Sequence, residues 1–135
     1  MAQNIAELLA QHAAGNPDRP ALLFQAGQKY TYFEMDQMAN RAANFLARLG
    51  VKKQDRIAVI LPNIPEFFQF LFGAAKVGAI LVPLDPNLKE PELANLLKHC
   101  EPKVIVASRQ AKAWHPSLLS PGSQWVLVGA PDSDA

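Results

Sequence analysis

Two apolar runs separated by an apolar helical segment constrain the fold more than any other feature of this sequence. Residues 57–61 form the first run and residues 79–84 the second, and in neither do polar and apolar side chains alternate. Such runs are typical of parallel strands that are covered on both faces. Between them, residues 65–77 begin at a proline, carry closely spaced phenylalanines and stop before Gly78, which predicts a buried helix. The whole segment therefore predicts a strand–helix–strand unit.

The flanking sequence predicts the remaining elements of an α/β domain. Asn4 followed by Glu7 predicts one helix start, and Thr31 with Glu34 forms a capping box that opens a second, amphipathic helix ending at Gly50. Further predicted elements are a β-hairpin of Ala21–Gln25 and Gln28–Tyr32, a helix opening at Pro91, strands at Lys103–Ala107 and Gln124–Val128, and a loop between those strands. We therefore expect a parallel sheet with flanking helices, and an N-terminal helix and β-hairpin beside it.

Composition limits the classes of protein to which the chain can belong. Its 135 residues, half of them hydrophobic and 19% charged, are enough for one globular domain. A formal net charge of +1 gives no electrostatic basis for binding nucleic acid. The apolar stretch 67–84 is interrupted by Gln69, Lys76 and Pro83, so we expect no membrane span. The single cysteine, Cys100, excludes an internal disulfide, and together with the missing signal-peptide pattern it predicts a cytoplasmic protein.

The residues by themselves predict no active site. The strand ending at Leu61 runs into Pro62 rather than into the glycines that a dinucleotide or phosphate loop requires. His99 and Cys100 are neighbours on a helix and cannot face each other as a base and a nucleophile. Cys100 continues an apolar stripe, so we expect a buried structural thiol. The histidines and the cysteine lack metal-ligand spacing, and we predict neither catalytic residues nor a metal site in this chain.

An ordered series of short motifs covers residues 5 to about 108. The motifs are Pro20–Leu22, Tyr30–Glu34, Ala39–Ala42, Gly50–Val51, Asp55–Ile60, Leu61–Asn63, Pro65–Phe67, Gly73–Ala74, Lys76, Gly78–Ala79, Val82–Pro86 and Glu92–Leu93. In this order they resemble the N-terminal region of adenylate-forming enzymes of the acyl-CoA synthetase, or AMP-binding, superfamily. Gln54 departs from the pattern, because the family usually has glycine there.

The resemblance implies a chemistry and also implies that this chain holds only part of it. Members of the family join a carboxylic acid to ATP, with Mg²⁺, and pass the acyl group from the resulting acyl-adenylate to coenzyme A. The phosphate loop that they need, of the type T-S-G-T-T-G-x-P-K, does not occur in the sequence. We therefore expect residues 1–135 to be a single partial domain, the N-terminal part of the large AMP-binding domain, with a frayed tail at 129–135. Such a fragment would supply scaffold without catalysis and would bind none of these cofactors tightly.

The resemblance also indicates which branch of the family to expect. Leu61–Asn63 and Pro65–Phe67 favour a fatty-acid or aryl-acid CoA ligase, whereas Val82–Pro86 also suits an adenylation domain of a peptide synthetase. A non-enzymatic α/β binding module is the alternative from another class. In relatives, the turn that matches Asp85, Pro86 and Asn87 lies near the groove where coenzyme A enters. These residues are the candidate cofactor-binding site, and a plain turn between a strand and a helix is the alternative interpretation.

The apolar helix at residues 65–77 predicts self-association. Its aromatic side chains lie almost all round the helix, so we expect part of this surface to be exposed on the isolated chain. A parallel sheet also retains edge strands that can pair between chains. Both features predict a dimer or a higher assembly.

Overall fold

The computed structural model describes residues 4–108 and 122–129 of the chain. Its elements are α1 (Ile5–Gly15), β1 (Pro20–Leu23), β2 (Lys29–Thr31), α2 (Tyr32–Arg48), β3 (Arg56–Ile60), α3 (Pro65–Val77), β4 (Ile80–Pro83), α4 (Glu90–Cys100), β5 (Val104–Ser108) and β6 (Gln124–Val128). Most of the loop predicted before β6, and all but the first residue of the predicted tail, lie outside the described residues.

The main sheet has four parallel strands in the order β4-β3-β5-β6. The chain therefore moves from β3 to its neighbour on one side, then crosses back over β3 to reach β5. Strands β1 and β2 form a separate antiparallel hairpin. Within the described residues, β4 and β6 are the two edges of the main sheet. The prediction of a parallel α/β sheet with an N-terminal helix and hairpin is confirmed.

Alternate residues of the central strands bury two separate apolar layers. Ile57, Val59 and Val104 point to the face covered by α2 and α3, whereas Ala58 and Ile105 point to the face covered by α4. Helix α3, which connects β3 to β4, and helix α4, which connects β4 to β5, thus lie on opposite faces of the sheet. The two connections also run in opposite directions across the sheet. Both crossovers consequently have the same hand, as the strong chiral preference of parallel strand connections requires. Covering both faces explains why these strands are apolar throughout.

The predicted helix caps are confirmed at both N-terminal helices. The Asn4 side chain accepts the Glu7 N–H at 3.1 Å, and Thr31 and Glu34 form the reciprocal pair of a capping box. Gly50 and Gly78, where the sequence predicts two helices to end, adopt positive φ angles of +86° and +78°. The bounds of β6 are as predicted, and those of the other strands differ from the predicted ones by at most two residues, since the ends of regular structure fray.

The aromatic side chains of α3 differ in how far they are covered. Phe70 is buried against the sheet, while Phe67, Phe68 and Phe72 are half-buried. The helix packs beside α2, and its outer side meets the hairpin and α1 in a third apolar cluster. The N-terminal elements therefore cover the outer side of α3 in part, and its half-buried phenylalanines retain some exposed surface. In the part of the chain that the structure describes, no helix is long and apolar enough to cross a membrane.

Candidate functional site

An open groove lies where strands β3 and β4 end. Its volume is about 440 Å³. The lining residues are Leu61, Pro62, Asn63, Phe67, Pro83, Leu84, Asp85, Pro86 and Asn87. All three residues of the candidate site, Asp85, Pro86 and Asn87, are in this set.

Parallel pairing brings the two loops of the groove together. Val59 of β3 is in register with Pro83 of β4, and the Leu84 N–H extends the ladder by donating to the Val59 carbonyl at 2.9 Å. Because parallel strands end at the same edge, residues 61–63 after β3 must lie beside residues 84–87 after β4. The sequence signal for this neighbourhood was the pair of buried runs, each followed by a proline-bounded turn.

The turn that follows β4 is held by its own aspartate. Asp85 Oδ1 accepts the Asn87 N–H at 2.8 Å, and the Asp85 carbonyl accepts the Leu88 N–H at 3.2 Å. This is the local hydrogen bonding that aspartate provides in turns, and Pro86 between them restricts the backbone further. The turn can therefore keep its shape without help from a bound ligand, and the carboxylate of Asp85 stays at the rim of the groove.

The position of the groove agrees with a general property of open α/β sheets. Ligands bind outside the carboxyl ends of the strands, and most often where successive connections diverge. Here the connections diverge between β3 and β5, because the chain leaves β3 toward β4 on one side and leaves β5 toward β6 on the other. The groove shares the end of β3 with this divergence but opens on the β4 side.

The lining of the groove offers little to the phosphates of ATP. Pro62, Pro83 and Pro86 have no N–H to offer a phosphate, and the groove lining contains no glycine. Within residues 4–108 and 122–129, no group of three or more His, Cys, Asp or Glu side chains could hold a metal ion. The groove lining therefore does not fit a nucleoside triphosphate, whereas the groove has the size of a small-molecule site.

Two further residues with reactive side chains, Cys100 and His12, pack against neighbouring parts of the fold. Cys100 ends α4 with its Sγ 3.8 Å from the Leu97 carbonyl, and burial raises the pKa of its thiol. The thiol is half-buried rather than fully buried as the sequence predicted, since it lies at the margin of the α4 apolar layer. His12 stacks on Tyr32 with 5.0 Å between ring centroids.

Sequence reasoning did not identify a second hollow, on α1. It has a volume of about 250 Å³ and a lining of Ile5, Leu8, Leu9, His12, Tyr32 and Phe72. The apolar stripe of α1 contains Ile5, Leu8 and Leu9, but only Leu9 is buried, while Ile5 and Leu8 are 43% and 44% exposed. The stripe alone could not indicate this, because periodicity does not give the width of the covering surface.

Comparison with known proteins identifies the family to which the chain belongs. The sequence pattern of the family described as AMP-binding enzyme matches residues 9–133. The chain belongs to this family. The resemblance inferred from the ordered motifs is thereby confirmed.

Relatives within the family are acid–CoA ligases. The chain is 38% identical over 118 residues to crotonobetaine/carnitine–CoA ligase of Proteus mirabilis. The aligned segment covers 82% of this chain and 23% of that protein. It is 37% identical over 105 residues to long-chain-fatty-acid–CoA ligase FadD13 of Mycobacterium tuberculosis, covering 77% of this chain and 21% of that protein. The chain thus spans less than a quarter of the length of these curated relatives.

A solved structure shows the same arrangement of elements. The N-terminal domain of FACL13 from Mycobacterium tuberculosis superposes with a TM-score of 0.87 at 30% identity, over 94% of this chain and 34% of that one. The chain thus has the fold of part of an acyl-CoA synthetase N-terminal domain.

Proposed function

We propose that the protein is an ATP-dependent carboxylic acid–CoA ligase. It would convert an acid, ATP and coenzyme A into acyl-CoA, AMP and pyrophosphate by way of an acyl-adenylate, with Mg²⁺ accompanying the ATP. The observation that carries the proposal is the similarity, at 38% and 37% identity, to two named CoA ligases. The acid that it activates is a separate question, which a substrate panel addresses.

In this proposal, residues 1–135 are the N-terminal part of the large AMP-binding domain and supply scaffold rather than catalysis. The parallel sheet would hold the groove at the ends of β3 and β4, and Asp85, Pro86 and Asn87 would border the path of coenzyme A. Support comes from the place of the turn at a carboxyl edge of the sheet, where α/β proteins bind ligands. No step involving ATP is assigned to the described residues, because they offer no phosphate cradle.

The test is thioester formation by the protein made from the complete reading frame. It is incubated with ATP, Mg²⁺, coenzyme A and a panel of aliphatic, aryl and amino acids, and acyl-CoA is detected by mass spectrometry. We expect acyl-CoA with at least one carboxylic acid. Adenylation of amino acids without any acyl-CoA would instead favour a peptide-synthetase adenylation domain, and no pyrophosphate exchange with any acid would favour the non-enzymatic module.

The 135-residue chain alone should show no adenylation. Adenylyl transfer depends on charges and amides positioned around the phosphates, and the sequence lacks the loop that would supply them. Pyrophosphate exchange by this chain above the background of a buffer control would show that the active site had been misplaced.

We also propose that the chain self-associates and works in the cytoplasm. Edge strand β4 supports self-association, because Ile80 on this strand is 47% exposed. The half-buried aromatic side chains of α3 support it as well. Sedimentation equilibrium should show a dimer or larger species, and a clean monomer at high concentration would disprove this.

The free Cys100 thiol supports a reducing compartment, and localisation of a tagged protein tests that.

A further inference from the structure

Helix α1 leaves an apolar strip on the surface of the fold. Ile5 and Leu8 are 43% and 44% exposed, although Leu9 beside them is buried. The strip borders the hollow of about 250 Å³ that α1 forms with Tyr32 and Phe72. Exposed aliphatic side chains next to an apolar recess are typical of a surface that another molecule covers.

The rest of the fold holds this strip in place. Asn4, the N-cap residue of α1, donates from its side-chain amide to the Ala75 carbonyl at 2.9 Å and thereby ties the start of the helix to α3. Toward the other end of α1, His12 stacks on Tyr32 with 5.0 Å between ring centroids. A surface that is already ordered loses little conformational entropy when it is covered, which favours association.

The charges of α1 favour one kind of partner, a second copy of the same helix. Its first turn carries the acidic Glu7 and its last turn the basic His12, and the helix contains no Lys or Arg. Nothing on it therefore attracts an anionic membrane or a nucleic acid. When two copies pack antiparallel, the acidic first turn of each lies beside the basic last turn of the other. The two helix dipoles are then antiparallel as well, which is the favourable arrangement.

The shape of the strip also suits a two-fold contact. In an isologous interface the same patch serves on both subunits, so the patch has to contain both a projection and a matching recess. Here Leu8 projects from α1, and the hollow lies beside it on the same strip. We propose that two copies of the chain associate through α1, packed antiparallel about a two-fold axis, with Leu8 of each copy in the hollow of the other. This inference rests on the proposed self-association and names the surface that carries it.

The exposed edge of β4 is a weaker surface for pairing. The N–H groups of Ile80 and Leu84 are donated toward β3, to the carbonyls of Asp55 and Val59. Because alternate residues of a strand bond to opposite sides, Leu81 and Pro83 are the residues that face outward. Proline has no N–H to offer a second strand and is a common means of protecting a sheet edge. The edge of β4 therefore offers a second copy fewer hydrogen bonds than an ordinary edge strand does.

The contact through α1 is small, so we expect a weak dimer. The 11 residues of α1 form a helix about 16 Å long, at about 1.5 Å per residue. Two helices of this length bury less than the roughly 800 Å² per partner of a standard interface. The dimer should therefore dissociate in the micromolar range and be populated only at high protein concentration.

Sedimentation equilibrium over a range of concentrations compares the wild-type chain with three variants, and far-UV circular dichroism verifies that each is folded. Leu8→Glu places carboxylates in the two apolar hollows and near each other, so it should weaken dimerisation at least about tenfold. Leu96→Glu is the matched control, because Leu96 is 41% exposed and belongs to α4, on the opposite face of the sheet. It should leave dimerisation unchanged. Ile80→Glu, at a residue of β4 that is 47% exposed, should also leave it unchanged.

The contrary outcomes separate this inference from the proposals on which it depends. Equal weakening by Leu8→Glu and Leu96→Glu would refute a specific contact through α1. Loss of the dimer in Ile80→Glu with Leu8→Glu unaffected would keep the proposed self-association and overturn this inference. A wild-type chain that stays monomeric at high concentration would overturn both. Thioester formation is not measured in this experiment, so the proposed ligase activity is tested separately.

Discussion

The two ends of helix α3 differ in how closely they are packed. Toward its C-terminus the helix touches α2 so closely that a Cβ atom on Gly73 would lie 2.6 Å from the Cβ of Ala42. Lys76 forms a 2.8 Å ion pair with Asp36 of α2, and the Ala75 carbonyl accepts a hydrogen bond from the Asn4 side chain. This end of the helix is therefore held by α2 and by Asn4, the N-cap residue of α1.

The N-terminal end of the same helix faces the groove instead. It begins at Pro65 after a residue without a side-chain cap, and Phe67 in its first turn lines the open space. The contrast indicates that the two ends of this helix have different roles. The C-terminal end stabilises the fold, while the N-terminal end shapes a surface that can accept a ligand. Substitutions at the two ends should therefore separate stability from binding.

The largest effect on stability is expected from Gly73→Ala. The added methyl group would collide with Ala42, and the backbone N of Ala43, at 3.1 Å, prevents an easy shift of α2. Overpacking of this kind outweighs the better helix propensity of alanine, and we expect a net loss of about 2 kcal/mol. Urea unfolding measures it. Gly15→Ala, where nothing lies within 4 Å, is the control and should lose nothing; equal losses would contradict the close contact.

A smaller effect is expected at the C-terminus of α3. Gly78 has a φ angle of +78°, which disfavours any residue with a Cβ, and its added Cβ would meet the flexible Lys53 side chain at 3.0 Å. Gly78→Ala should cost about 1 kcal/mol in the free energy of unfolding. Gly78→Asn should cost less, because asparagine tolerates this backbone conformation better. A greater loss for asparagine than for alanine would argue against the backbone explanation.

The loop that receives this end of α3 should make stability depend weakly on pH. Asp55 accepts the Lys52 N–H at 2.7 Å, which lowers the pKa of its carboxyl below 3.8, and the Lys103 ammonium adds to the effect. A lowered folded-state pKa stabilises the protein above the unfolded value, and the contribution is lost as pH falls through the folded value. The carboxyl is too exposed for an effect as large as that of Gly78→Ala.

The measurement compares urea unfolding of the wild type and of Asp55→Asn. The wild type should be the more stable of the two at neutral pH, and the difference should shrink as the pH is lowered below about 3.8. A difference that stays constant down to the acid limit of folding would show that the charge of Asp55 does not contribute.

The smallest effect on stability is expected at the groove. Asp85→Asn retains an acceptor oxygen for the Asn87 N–H, and the side chain is exposed, so the free energy of unfolding should change by less than about 0.5 kcal/mol. Thermal and urea unfolding of this variant provide the check. A loss as large as that of Gly78→Ala would mean that the groove is part of the scaffold, and the contrast between the two ends of α3 would fail.

Local features of the sequence determined the elements and their ends. The Asn4 cap, the capping box of Thr31 and Glu34, and the glycines at positions 50 and 78 each act within one turn of the chain, so their neighbours in sequence are enough to predict them. Continuous apolar strands likewise indicated a sheet covered on both faces. The family followed from the order of the motifs, and the candidate turn at Asp85 was identified in the same way.

Only the tertiary structure decided which of these elements meet. The strand order β4-β3-β5-β6, the contact of Gly73 with α2 and the meeting of residues 61–63 with residues 84–87 all join parts that are distant in sequence. Gln54 illustrates the same limit, since its φ of +73° explains the glycine usual in the family, yet nothing beside it in sequence reveals that angle. Its N–H reaches the Gly78 carbonyl at 2.8 Å, so packing against the end of α3 accompanies that conformation. Local rules fix what each segment becomes, and long-range packing fixes what the segments build together.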